Sequence, residues 1–180
     1  INGKAGLGRY AASLAAAEHV YSVAGTGYAP EGAVRWREAD AHPDEHAVLM
    51  EFARAAGLCN DAVLHGGQDG WRVEGDPMEG ALMALAGKIT GEGPEPFRQW
   101  ARTDVIPFDA AHRYMATLHH DHEGHACIHV KGAPEAVLAL CVSQRGAHGG
   151  TEPLDDPAER HLAGQVLDRL ADPAQFQRFE

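Results

Sequence analysis

Two strand-like runs, RYMATLHH (Arg113–His120) and ACIHVK (Ala126–Lys131), are separated only by a short polar turn, DHEG. So brief a connection leaves no room for the crossover that a parallel pair requires, so the two runs must fold back antiparallel. That hairpin constrains the chain more than any other feature. Folding at DHEG sets His120 near His125 and Arg113 near Gly132. Phe108, Arg113 and Met115 then meet Lys131 and Gly132 at the open end, while the histidines gather at the closed end. Seven residues separate Arg113 from His120, so the two ends lie roughly 23 Å apart at about 3.3 Å per residue. One ligand cannot use both ends.

Other segments repeat the same logic. HVYSVAG from His19 and AVRWRE around Trp36 alternate as strands on either side of Gly- and Pro-rich turns and form a hairpin or neighbouring edges. Pro43 and Asp44 open a helix that Gly57 stops. WRVEG at Trp71 is a short strand, and Asp76-Pro77 supplies the cap and first turn of a second helix. Residues 97–102 are expected as a short helix, DVIPF as extended chain, and Pro134 as the start of another helix. A last helix is expected over 157–170. Residues 1–18 show no period and form a weakly specified lead-in; 19–180 form one domain. Strands in hairpins rather than in strict βαβ alternation give an α+β class, a mostly antiparallel sheet flanked by helices.

Composition narrows the partners. The net charge of −11 argues against a nucleic-acid backbone. An anionic small ligand needs a local positive patch. No apolar run is long enough to span a membrane and no signal peptide opens the chain, so direct membrane insertion is not expected. Three scattered cysteines, Cys59, Cys127 and Cys141, without a CxxC, point to a reduced setting and buried apolar roles.

The two hairpin ends offer different chemistry. Imidazoles at His119–His125 can bind a transition metal, but adjacent strand residues point to opposite faces and the rest sit in a loop. The reading adopted is a solvated turn and no metal site. At the open end, an aromatic face at Phe108 can stack on a base. An Arg113 fork and a Lys131 point charge can hold phosphate oxygens. Gly132 permits close approach to the backbone, and Glu79 can accept a hydrogen bond from an amino group.

Taken in order, GTGYAPEG (Gly25–Gly32), GDPMEGAL (Gly75–Leu82), PFDAAHRYM (Pro107–Met115) and KGAPEAVLALC (Lys131–Cys141) resemble the nucleotide-binding domain of P-type cation-transporting ATPases. The likeness is to the calcium and related cation pumps rather than the heavy-metal branch. The resemblance implies an ATP-binding antiparallel sheet with helices around it. It implies Phe108 stacked on adenine, Met115 beside the base, and Lys131 near base and ribose. Glu79 would lie on the adenine side and Arg113, usually Lys in the family, at the phosphates. Ala110 and Ala111 stand where many relatives are polar, and Met78 replaces a common Thr. The phosphorylated Asp-Lys-Thr-Gly-Thr motif is not in the sequence.

The expectation is an ATP-binding domain excised from a larger pump, whole or cut short of a final strand, with no catalytic residue of its own and essentially no turnover. Its partners would be ATP, with Mg in the full pump, and the phosphorylation and actuator domains on the cytoplasmic side of a membrane. Two other readings remain: a metal-binding module on the His119–His125 turn, and an interaction domain whose nucleotide pocket has decayed at Ala110 and Ala111.

Overall fold

The computed structural model describes residues 10–16, 19–146 and 150–154, the first segment as backbone only. In chain order the elements are β1 (Tyr10–Ala16), β2 (His19–Ala24), β3 (Val34–Trp36), β4 (Ala39–Asp40), α1 (Ala47–Leu58), β5 (Val63–Gly67) and β6 (Gly70–Glu74). They continue with α2 (Pro77–Thr90), β7 (Ala101–Asp109), β8 (Tyr114–His120), β9 (Ala126–Gly132), α3 (Pro134–Leu138), β10 (Ser143–Arg145) and β11 (Thr151–Pro153). All the strand pairs are antiparallel, in a β1-β2-β3-β4 sheet, a β7-β8-β9 sheet and the hairpins β5-β6 and β10-β11. The class is α+β, as expected. Tyr10–Ala16, where the sequence shows no period, pairs with β2. The helix expected over 157–170 lies outside the described residues.

The main core forms where β2 and β3 meet the two long helices. Tyr21 and Val23 alternate inward from β2, Val34 from β3, Leu49, Ala53 and Ala56 from α1, and Leu85, Ala86 and Ile89 from α2. The alanines keep the helix surfaces slim, so α1 and α2 pack closely. Phe97 joins this core, and a Cβ on Gly57 would lie 3.2 Å from its ring. This explains why 97–102 is not the helix that was expected. Burying the Phe97 side chain is worth about 1.5–3 kcal/mol, while an isolated helix this short has almost no stability of its own. The chain therefore makes a turn, with Trp100 N–H donating to Phe97 O (2.9 Å), and enters β7 at Ala101.

α2 begins as its sequence dictates. The Asp76 carboxylate accepts from the N–H groups of Met78 (2.8 Å) and Glu79 (3.2 Å), and Pro77 occupies the first turn, where it lacks no needed donor. Gly91 ends the helix in the left-handed conformation at φ +71°. On its outer side α2 meets β6 at Gly80, where a Cβ would run into both methyls of Val73.

The β8-β9 hairpin forms, one residue out of the expected register. His120 pairs with Ala126 rather than His125, and Gly132 with Tyr114 rather than Arg113. The turn is longer because Asp121 organises it. Its Oδ1 accepts from the N–H groups of Glu123 and His125, both at 2.9 Å, and Gly124 takes φ +86°. A slip of one residue changes which side chains share a face, and here it sets Lys131 opposite Met115.

The inner face of this hairpin packs on the end of α1. Leu58 O accepts from Thr117 Oγ1 (3.3 Å) and lies 3.1 Å from His119 Nε2, while His119 Nδ1 lies 3.3 Å from Trp100 O. His129, cross-strand from Thr117, has its ring 6.0 Å from that of His119 and a buried Nε2 without a hydrogen-bond partner among the described residues.

Two predictions follow from this packing. Gly80→Ala gains about 1 kcal/mol of helix propensity but overpacks Val73 at about 1–3 kcal/mol, so thermal unfolding should move down. Adding Val73→Ala should recover part of the loss. Second, burial, with lesser contributions from the neighbouring His119 and Arg54, lowers the His129 pKa below the ordinary histidine value. The unfolded chain then takes up the proton first as pH falls. The His129 contribution to stability is complete above about pH 6.5 and declines as pH falls through that value toward the lower folded one. Urea melts at pH 7.5 and 5.5 should show a smaller pH dependence in His129→Leu than in the unsubstituted chain.

Candidate functional site

Three adjacent strands and one helix start bring the sequence-derived residues to one end of the β7-β8-β9 sheet. On β7, Ile106 pairs with Ala116 and Asp109 with Tyr114, so Pro107 and Phe108 together face Met115 in a bulge. Pro107 suits this place, since β7 is an edge strand among the described residues and a bulge needs no ladder donor. On β8, Met115 is 1% exposed and lies directly across from Lys131 on β9. Phe108, Met115 and Lys131 thus form a row across the three strands. Phe108 is 62% exposed, an uncovered ring at the end of that row.

The fourth member comes from α2. Lys131 Nζ donates to Glu79 Oε1 at 2.6 Å, with both side chains mostly buried. Glu79 sits three residues after its cap, where a carboxylate often turns back on the cap N–H. Its second oxygen instead accepts from the Asp61 N–H at 3.0 Å. Asn60, next in the chain, donates through Nδ2 to Ala56 O (3.0 Å) and Glu79 O (2.9 Å), and its Oδ1 accepts from Ala62 N–H (2.9 Å). Asp61 Oδ1 in turn accepts from Arg102 at 2.6 Å. Asn60 and Asp61 carried no signal in the sequence. They lie in an irregular stretch after α1 with neither periodicity nor a motif.

Below Lys131 lies Cys59, fully buried, its thiol pushed up by burial and donating weakly to Met115 O at 3.7 Å. It is packing, not a nucleophile.

Arg113 is placed differently from Lys131. It takes φ +59° at the end of the β7-β8 turn, where its N–H donates to Asp109 O (2.6 Å) and its O accepts from Ala133 N–H (2.8 Å). Its guanidinium pairs with Glu135 on α3. Gly132 is explained by the chain itself. A Cβ there would run into Arg113 O and Tyr114, so glycine is what allows β9 to close on β8. Ala110 and Ala111 lie exposed in the same turn.

The closed end is not one histidine cluster. His119 is buried at 3% exposure, and His120 turns to Thr103 Oγ1 (2.9 Å). Asp121, Glu123 and His125 offer donor atoms within 4.8 Å of one another, but His125 Nδ1 already lies 2.8 Å from Asp121 Oδ2. A separate cleft of about 520 Å³ opens at the other end of α2, lined by Pro30, Gly32, Trp71, Lys88 and Gly93, and it contains none of the row residues. Burial lowers the Lys88 pKa there, and its ammonium donates to Gly25 O at 3.3 Å.

Among the described residues, no helix is long and apolar enough to cross a membrane. Comparison with known proteins bears on the family. The family described as the cytoplasmic N domain of P-type ATPases matches residues 48–171. The probable cation-transporting ATPase F of Mycobacterium tuberculosis is 38% identical over 133 residues, covering 73% of this chain and 14% of the relative. The cation-transporting ATPase pma1 of Synechocystis is 36% identical over 161 residues, 86% of this chain and 17% of the relative. A calcium-transporting ATPase of Bacillus subtilis is 30% identical over 167 residues, 85% of this chain and 18% of the relative. The chain thus spans less than a fifth of the length of these relatives. With two thirds of its residues inside the match, the chain belongs to the family of P-type ATPase cytoplasmic N domains.

Proposed function

We propose that the chain binds ATP on the Phe108–Met115–Lys131 row and, within a whole pump, presents the γ-phosphate to an aspartate on a separate phosphorylation domain. The observation that carries this reading is the Lys131–Glu79 pair beside an uncovered aromatic ring at one end of the sheet. Phe108 offers the stacking face. Met115 forms the floor next to it, and the Lys131 stem and head flank base and ribose. Glu79 is an acceptor for an exocyclic amino group, and Arg113 is the cation nearest the turn that would meet the phosphates. Relatives named for cation and calcium transport support a pump as the parent, with Mg accompanying ATP and with phosphorylation and actuator domains as partners. The chain's own part in catalysis would be positioning and charge stabilisation, on the cytoplasmic side of a membrane.

The acidic chain must receive a polyanion against its own field. Its cations at the site are already matched, Lys131 by Glu79 and Arg113 by Glu135. Phosphate binding at Arg113 therefore means exchanging one carboxylate for another anion.

Phe108→Ala should weaken ATP by about 1–3 kcal/mol, the usual worth of one stacked base. Isothermal titration showing unchanged affinity, with the fold intact by circular dichroism, would remove the row as the nucleotide site. Glu135→Gln should release Arg113 and strengthen ATP binding several-fold while leaving adenosine unchanged, an effect that shrinks as salt rises. Glu38→Gln, the same charge change elsewhere, serves as the control. Equal gains for both ligands, or an equal gain in the control, would show that Arg113 does not meet phosphate.

A further inference from the structure

We propose that Asn60 is a positioning residue for purine selectivity, acting through Glu79 without touching the nucleotide; this rests on the ATP reading above. The Asn60 amide is fully engaged. Its Nδ2 donates to Ala56 O at the end of α1 and to Glu79 O in the first turn of α2, and its Oδ1 accepts from Ala62 N–H. That clamp fixes the peptide that follows. The Asp61 N–H is thereby aimed at Glu79 Oε2 (3.0 Å), and Oε1 is left on Lys131 (2.6 Å). One dipeptide thus holds Glu79 by its backbone carbonyl and by its carboxylate together.

The chemical consequence is selectivity. A fixed carboxylate accepts a hydrogen bond from the 6-amino group of adenine. It faces the 6-oxo group of hypoxanthine acceptor to acceptor, and a site built around a donor rejects the analogue that lacks it. Such discrimination depends on holding the acceptor to within about 0.5 Å. Asp76 fixes only the N–H groups of α2, so the orientation of the Glu79 carboxylate falls to the Asn60–Asp61 segment and Lys131. All three side-chain hydrogen bonds of Asn60 go to backbone atoms, so any effect of Asn60 on the nucleotide passes through Glu79.

The test is a double-mutant cycle read as the ratio of ATP to inosine triphosphate affinity. The unsubstituted chain should favour ATP by about tenfold or more, as expected for one hydrogen bond to a charged acceptor. Glu79→Gln should bring the ratio near one. Asn60→Ala should bring it to the same value, and in the Glu79→Gln background should change it no further. Asn60→Ser keeps a small acceptor for Ala62 N–H but cannot span to Glu79 O, so it provides a milder variant with the same expected loss of selectivity. Far-UV circular dichroism and thermal melts check folding for each. If folded Asn60 variants keep the ratio, or lose both nucleotides in equal proportion, Asn60 is structural only and the inference is overturned. Failure of the unsubstituted chain to bind ATP would overturn the nucleotide reading itself, a separate outcome visible before any variant is made.

Discussion

The Lys131–Glu79 ion pair joins the two halves of the described fold. Glu79 belongs to α2, which packs with α1 and the β2-β3 strands in the main core, and Lys131 belongs to the β7-β8-β9 sheet. Both side chains are largely withdrawn from solvent, so removing either leaves a charge that the other no longer compensates, a heavier loss than the pair's net worth. The pair is also the place where the site meets the scaffold. Its geometry is inherited from the Asn60–Asp61 segment that holds Glu79 on one side and from the hairpin register on the other, so a change in either would be felt at the row of Phe108, Met115 and Lys131.

What could be read from the sequence follows from how local each cause is. The β8-β9 hairpin and the start of α2 were legible because a short turn and an Asp-Pro cap act within a few residues. The register was missed by one because the Asp121 carboxylate captures two backbone N–H groups and lengthens the turn, a side-chain effect that alternation does not show. Residues 97–102 were misread because Phe97 is claimed by a core assembled from distant segments. β5 went unread, its Gly66 lying under the Trp71 ring across the hairpin, where the partner supplies the cover that the residue lacks. Phe108, Arg113, Met115, Lys131 and Gly132 were gathered by the hairpin and Glu79 by its place on a helix start, and resemblance to a family gave them their roles. Asn60 and Asp61, which hold one of them, become visible only once α1, α2 and β9 are set side by side.

The placement of charge gives the candidate site a particular character. Arg102 is matched by Asp61, Lys131 by Glu79 and Arg113 by Glu135. Each of these three cations is held near its position by an acid, which screens its charge. A strongly acidic chain thereby keeps its few basic groups ordered, and avoids presenting a bare positive patch to unrelated polyanions.

Pro107 carries a consequence of another kind. Among the described residues, β7 displays Val105, Ile106 and Phe108 along the rim of its sheet, and a long apolar rim of that sort is a template on which a second molecule can add a strand. The proline withholds a backbone donor in the middle of that stretch, and the bulge it shares with Phe108 twists the rim out of the flat geometry that strand addition needs. The residue that looks like a mere interruption of the strand thus makes this apolar stretch a poorer template for an added strand.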